Sequence, residues 1–390
     1  GRGSYHVVVG NPPYITVKDA NENKNYKLAY DACYRQYALS VPFAQRIFEL
    51  AVRAGGENRD GGFTGQITAN SFMKREFGKK LIEEFLPKVQ LTRVIDTSGA
   101  FIPGHGTPTV ILTGRNQLAR QSDRVRAVLS VRGEPGQPTN PEQGVVWQAI
   151  LQQHRVASSE SDWISVEDAV QGRFGRHPWA LSGGGAAPLQ AKIEDKARPL
   201  LEFSDDIGSG AVTREDSAYR VSVGALRRHN ISDEFRRTLL EAENIRDYGY
   251  ENPVVGLWPY DSSTCEAKHT KAIEKFLWPA RMILRERIAY GKSQLERGLQ
   301  WFEYSMFFPK KYRTPLSIAL AFFGTHNHFT LDRGGNVFNR SAPVIKLPAA
   351  ESEDQHLSLL GVLNSSSACF WLKQVSHDKG IRGEGGGFTS

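Results

Sequence analysis

The chain has 390 residues, of which 40% are apolar and 23% charged, a globular mix that excludes wholesale disorder and collagen-like repeats. Its 49 Lys and Arg against 42 Asp and Glu leave a net charge of +7, too modest by itself to name a partner. No run approaches the roughly eighteen apolar residues of a membrane helix, and the start does not read as a signal peptide. The length predicts two or three domains. Three widely spaced cysteines (Cys33, Cys265, Cys369) fit neither a disulfide framework nor a zinc pattern, and point to a reducing, cytoplasmic setting.

Residues 5–9 (Tyr-His-Val-Val-Val) predict a short buried strand, which Gly10-Asn11-Pro12-Pro13-Tyr14 must end because the prolines lack donors and fix φ. Tyr26, Tyr30 and Tyr34 allow a short helical piece in an otherwise loop-like stretch. A helix follows, with Ser40 as cap, Pro42 in its first turn and Phe43, Ile47, Leu50, Ala51 and Ala54 on its inner face. A strand over 63–68 comes next, then a helix over 76–86 with Leu81, Ile82, Phe85 and Leu86 inward. Strands over 89–96 and 109–113 follow with no helix between them, so they should pair antiparallel. Alternation of strand and helix predicts an α/β fold around a doubly wound sheet. Beyond residue 118 the pattern predicts a strand over 125–131 and helices over 145–154, 279–288 and 356–373. Composition shifts put boundaries near 118 and 205, with 119–205 as a linker and helical insert.

The charge is concentrated. Residues 271–313 hold ten basic side chains against four acidic ones, interleaved with nine aromatic rings. Arg281, Arg285, Arg287, Lys292, Lys310, Lys311 and Arg313 are candidate phosphate contacts, since cations neutralise phosphates and rings stack on bases. A solvated helix face over an aromatic core produces the same spacing, and the stretch taken alone favours that simpler reading.

The sharpest feature is Asn11-Pro12-Pro13-Tyr14 at the carboxyl end of a strand, where open α/β sheets place their ligands. A rigid turn lets the Asn11 side chain and the Pro12 carbonyl accept hydrogen bonds from one flat NH₂ group while Tyr14 offers a ring face. An exocyclic amine on a planar base has its lone pair delocalised into the ring. Accepting bonds from both of its hydrogens localises that pair for attack on a methyl donor, with positioning supplying most of the rate. The base must first leave the duplex. A plain Asn-Pro-Pro turn with a surface Tyr is the bland alternative.

Together with residues 37–50, 65–80, 94–101 and 104–112, this motif resembles large bacterial DNA adenine-N6 methyltransferases. The resemblance is to the PglX-like family of phage growth limitation and bacteriophage exclusion (BREX) systems. It covers the first third strongly. Residues 207–213, 242–246, 257–261 and 360–365 more loosely resemble target recognition domains. The resemblance implies the second half of a Rossmann-like methyltransferase domain over 1–118. It also implies a mixed α+β target recognition domain over 206–390, whose end is open to truncation. It implies that Asn11 and Pro12, with Pro13 in the same turn, bind the target amine and that Tyr14 stacks on the base, with Phe101 as a second base contact. Core packing is the alternative for Phe101. The implied cofactor is S-adenosylmethionine and the implied partner is double-stranded DNA carrying a flipped adenine, with other phage-defence proteins as further partners. The family's cofactor loop precedes this motif, so its residues are expected upstream of Gly1. The chain opens on Gly1 rather than Met and reads as a piece of a longer protein that is inactive alone. Gly183-Gly184-Gly185 and Gly208-Ser209-Gly210 are glycine clusters that read as flexible turns.

His105 reads as a turn residue, His326 and His328 as loop residues lacking a third metal ligand, and no restriction-nuclease signature stands out. Two further readings stay open: a DNA-recognition module without activity, and a protein glutamine N5-methyltransferase, whose amide substrate asks for the same acceptors.

Overall fold

A computed structural model describes residues 1–55, 60–104, 106–379 and 387–389. The chain forms two compact units, one of residues 1–196 with 371–389 and one of residues 197–370. Among the described residues no helix is long and apolar enough to cross a membrane.

The first unit is built on a six-stranded sheet in the order β1-β2-β4-β3-β5-β6. Its strands are β1 (Val7–Gly10), β2 (Phe63–Ala69), β3 (Gln90–Asp96), β4 (Thr109–Arg115), β5 (Arg124–Ser130) and β6 (Ile164–Val170). β1, β2, β3 and β5 run one way; β4 and β6 oppose them. The carboxyl ends of the four parallel strands therefore share one edge. Side-chain alternation feeds two cores. Val94, Val110, Leu112 and Ala127 pack against Val41, Ala44 and Phe48 of α2 (Ser40–Leu50). Ile95, Val128 and Val166 pack against Val146, Ala149 and Ile150 of α3 (Val145–Gln153). A mixed α/β architecture is thus in place, and the antiparallel pairing of β3 with β4 is as expected.

Several expectations change. Among the described residues β1 stands at the sheet edge beside β2, and the face that carries Val7 (61% exposed) and Val9 (76% exposed) has nothing packed on it. An apolar run does not distinguish a buried strand from an uncovered one. Ser40 is the first helical residue of α2 rather than its cap, and the inner face turns to Val41, Ala44, Ile47 and Phe48, leaving Phe43 43% exposed. The expected stripe ran through Ala51 and Ala54, but the chain is already extended at Ala51. The segment 76–88 is not a regular helix. It passes from a 3-10 turn (Glu76–Gly78) through a π turn (Leu81–Phe85) to a second 3-10 turn (Leu86–Lys88), still burying Leu81, Ile82 and Leu86. Gly78 is required there, since a Cβ would sit 1.8 Å from the Phe72 carbonyl oxygen.

The sheet also continues past residue 118. Two strands of the expected linker, β5 and β6, complete it, and β5 lies parallel to β3. The sequence pattern shows β5 and α3 but not β6, where Glu167-Asp168 interrupts the alternation. A tyrosine-spaced helical piece forms as α1 (Ala20–Ala29), capped by Asp19 through its bond from the Glu22 amide.

The second unit holds a four-stranded sheet (Phe329–Asp332, Ser317–Leu320, Val344–Lys346, Asp206–Gly208) and a three-stranded one (Val254–Leu257, Arg236–Leu240, Asn336–Phe338). Its core is aromatic: Tyr219, Trp258, Tyr260 and Tyr304 are buried, with Tyr260 and Phe307 stacked at 4.1 Å. The helix expected over 279–288 forms as Arg281–Glu286, after a 3-10 turn that holds Pro279, and a further helix, Lys271–Leu277, precedes it without having been expected. The helix expected over 356–373 is also two, Glu353–Leu363 and Ser366–Val375.

Candidate active site

β1 delivers Gly10 beside Gln66 of β2, and α2 lies close above it: a Cβ on Gly10 would come within 3.1 Å of Ile47 Cδ1. The chain then turns through the two prolines. Pro12 is buried, Asn11 and Pro13 are exposed and Tyr14 is half-buried. The Tyr14 hydroxyl donates to Asn11 Oδ1 at 2.8 Å. Burial pushes the Tyr14 phenol above its usual pKa, so it stays a donor at neutral pH. The exit of the loop is tied down: Leu39 N donates to Ile15 O at 2.8 Å, Thr16 bridges Ala38, and Val17 is in the core.

The neighbouring strand ends are equally constrained. Asp96, 3% exposed at the end of β3, accepts from Ser98 N at 2.9 Å, and the Thr97 and Thr109 hydroxyls meet at 2.7 Å. Glu134 N donates to Gly99 O, closing the loop that carries half-buried Phe101. The fold brings Asn11, Pro12, Pro13 and Tyr14 together. Phe101 lies in the loop that follows β3, whose carboxyl end is three strand spacings from that of β1, roughly 14 Å.

Sequence reasoning missed a polar stripe on β2. Thr64, Gln66 and Thr68 alternate on its buried face, and the Gln66 amide and the Thr68 hydroxyl have no protein partner. Alternating polar residues in Phe-Thr-Gly-Gln-Ile-Thr-Ala were the available signal.

The basic set divides. Lys292, Lys310 and Arg313 are exposed, and Arg281 and Arg285 are partly so, with the Arg281 guanidinium 4.7 Å from the centre of the Trp278 ring. Arg287 and Lys311 do not fit the expectation of phosphate contact. Arg287 is 6% exposed and donates to the carbonyls of Leu284, Thr213, Trp301 and Glu303. Lys311 is 6% exposed and pairs with Asp206 at 2.9 Å. Sequence spacing cannot tell a solvated cation from one that satisfies buried carbonyls.

His328 Nδ1 lies 2.6 Å from Asp247 Oδ1, His326 is exposed, and His105 lies outside the described residues. Among the described residues no group of three or more His, Cys, Asp or Glu gathers to hold a metal. Gly183–185 does open a helix, α4 (Ala186–Lys196), with Gly184 and Gly185 at φ 64° and 79°. That turn adjoins β5 through Ser182, far along the sheet from β1. The other cluster follows the strand Asp206–Gly208 in the second unit and leads to no helix of that unit's core.

These features find counterparts in known proteins. Residues 1–102 match the family described as Eco57I restriction-modification methylase. The chain is 46% identical, over 97% of its length, to the adenine-specific methyltransferase PglX of Streptomyces coelicolor, and covers 32% of that protein. It is 26% identical over 230 residues, 56% of the chain and 35% of the relative, to the type II methyltransferase M.PaeR7I of Pseudomonas aeruginosa. The chain therefore spans about a third of each of these relatives. The fold is shared with MmeI, a type IIL restriction-modification enzyme solved in complex with DNA. There the TM-score is 0.58 at 13% identity, over 98% of this chain and 45% of MmeI.

Such methylases imply S-adenosylmethionine. Among the described residues no glycine-rich turn stands next to the motif, so the residues present do not make a holder for that cofactor.

Proposed function

We propose that this chain is the target-binding part of a DNA adenine-N6 methyltransferase of a phage-defence system. In this reading its first unit carries the second half of the methyltransferase domain and its second unit recognises DNA. The observation that carries the reading is the Asn11–Tyr14 loop at the carboxyl edge of the sheet, with the Asn11 carboxamide in solvent on a braced turn. The 46% identity to an adenine-specific methyltransferase supports it.

A carboxamide oxygen has two lone pairs. Tyr14 occupies one and so orients the group; the other can accept from the adenine amine, with the Pro12 carbonyl as the second acceptor. The Tyr14 ring provides the stacking face for the extruded base. S-adenosylmethionine supplies the methyl group when bound, and its site is assigned to no residue of this chain. The reading predicts that these 390 residues alone neither transfer methyl groups nor bind the cofactor tightly, and calorimetric titration showing tight binding would overturn that part of it.

The test is methyl incorporation from labelled S-adenosylmethionine by the full-length protein. Label in plasmid DNA at adenine N6, lost in Asn11→Ala, is expected. Label in protein instead would favour glutamine N5 methylation, and DNA binding without any transfer would favour a recognition module.

A further inference from the structure

The basic stretch of the second unit ends in a hairpin whose tip is unusual. Strands Ile288–Ala289 and Lys292–Ser293 pair with Ile288 opposite Ser293 and Ala289 opposite Lys292, leaving a two-residue turn, Tyr290-Gly291. Both turn residues have positive φ, 55° and 76°. Asn and Gly suit that geometry, and a bulky side chain strains it. The Tyr290 ring is 78% exposed, so it gains little packing in return.

The roots of this hairpin are fixed. On the entering side Arg287 holds four backbone carbonyls and Ala289 is 2% exposed. On the leaving side Gln294, fully buried, donates to the carbonyls of Gln300 and Glu303. The hairpin is thus a stiff mount that projects an aromatic ring into solvent. Ile288 (57% exposed) and the exposed Lys292 flank it, and Arg281 and Arg285 lie on the preceding helix. Of the nearby carboxylates, Glu296 is engaged by the amide and hydroxyl of Ser293, while Glu286 is exposed.

We propose that Tyr290 is a wedge that enters the base stack of bound duplex DNA, with Lys292, Arg281 and Arg285 on the phosphates beside it. This rests on the DNA-methyltransferase reading above. One flat ring on a narrow two-residue tip is too small for a protein interface but matches the space between base pairs. Proteins that deform duplexes insert apolar side chains in this way. The flanking cations suit a polyanion, and the strain at Tyr290 holds the ring at the tip where a glycine or asparagine would be easier.

The test uses the full-length protein and fluorescence anisotropy. Two duplexes of the same sequence are compared, one intact and one carrying abasic sites, whose stacking gap removes the cost of insertion. The expected result is tighter binding of the abasic duplex by roughly 10-fold, retained in Tyr290→Phe and lost in Tyr290→Ala. Tyr290→Ala and Tyr290→Gly should melt no lower than wild type, and the salt dependence of binding should not change, since the phosphates stay neutralised. Wild type without a preference, or Tyr290→Ala keeping it, overturns the wedge. No binding to either duplex by wild type overturns the DNA reading itself.

Discussion

The Tyr14 hydroxyl and the Asn11 carboxamide oxygen, three residues apart, share a 2.8 Å hydrogen bond. The acceptor that the chemistry needs is therefore already in use, and aimed, before any substrate arrives. Removing the hydroxyl and removing the ring should have different consequences. In the full-length protein, Tyr14→Phe keeps the stacking face and loses only the orientation of Asn11, so transfer should fall less than about 10-fold. Tyr14→Ala loses the stack, with a cost of roughly 1–3 kcal/mol in base binding, and transfer should fall further. Single-turnover rates on duplex DNA separate the two; equal losses would contradict a stacking role.

Asn11→Ala removes an acceptor aimed at the reacting nitrogen. Loss of one such preorganised group costs about 100- to 1,000-fold in rate. Asn11 is exposed and outside both cores, so the fold and DNA affinity should remain. Parallel measurement of melting temperature, DNA affinity and transfer checks this.

The partly buried and exposed cations should behave unlike the buried one. Removing Arg281, Arg285 or Lys292 should lower the slope of log K against log salt by about 0.9 for each phosphate that is no longer neutralised. Arg287→Ala should instead destabilise the second unit by roughly 3 kcal/mol, because buried carbonyls lose a charged donor. Urea unfolding reads the second effect and salt titration of binding reads the first.

Lys346 provides a pH test. Its ammonium, 4% exposed, donates to the carbonyls of Thr314 and Leu316, and burial lowers its pKa to about 8 from 10.5. Between those values the unfolded chain binds the proton and the folded chain does not, so rising pH favours folding. Below pH 8 the burial penalty is fully present. The stability of wild type relative to Lys346→Met should therefore rise between pH 8 and 10.5, by up to roughly 3 kcal/mol. A pH-independent difference would mean that Lys346 titrates normally.

What could be read from the sequence tracks how local its cause is. Strand β2, the β3–β4 antiparallel pair, β5, α3 and the Asn11–Tyr14 turn follow from runs and prolines that act within a few residues. The exposure of β1 does not, because it depends on what the rest of the chain packs on that face. Likewise Arg287 and Lys311 look like their neighbours in sequence, and only the carbonyls and the Asp206 carboxylate brought from distant positions reveal what they do. β6 is hidden because two acidic residues break its period, although Arg126 and Arg173 from other segments meet those acids.

The uncovered side of β1 has a practical consequence. Among the described residues nothing pairs with the amides and carbonyls on that side, which leaves, beside Val7 and Val9, a template to which an extended apolar segment can add. Produced as these 390 residues alone, the protein should self-associate edge to edge or precipitate as its concentration rises. A fusion that lays one more strand along Val7–Gly10 should restore a monodisperse product without any change to the two cores.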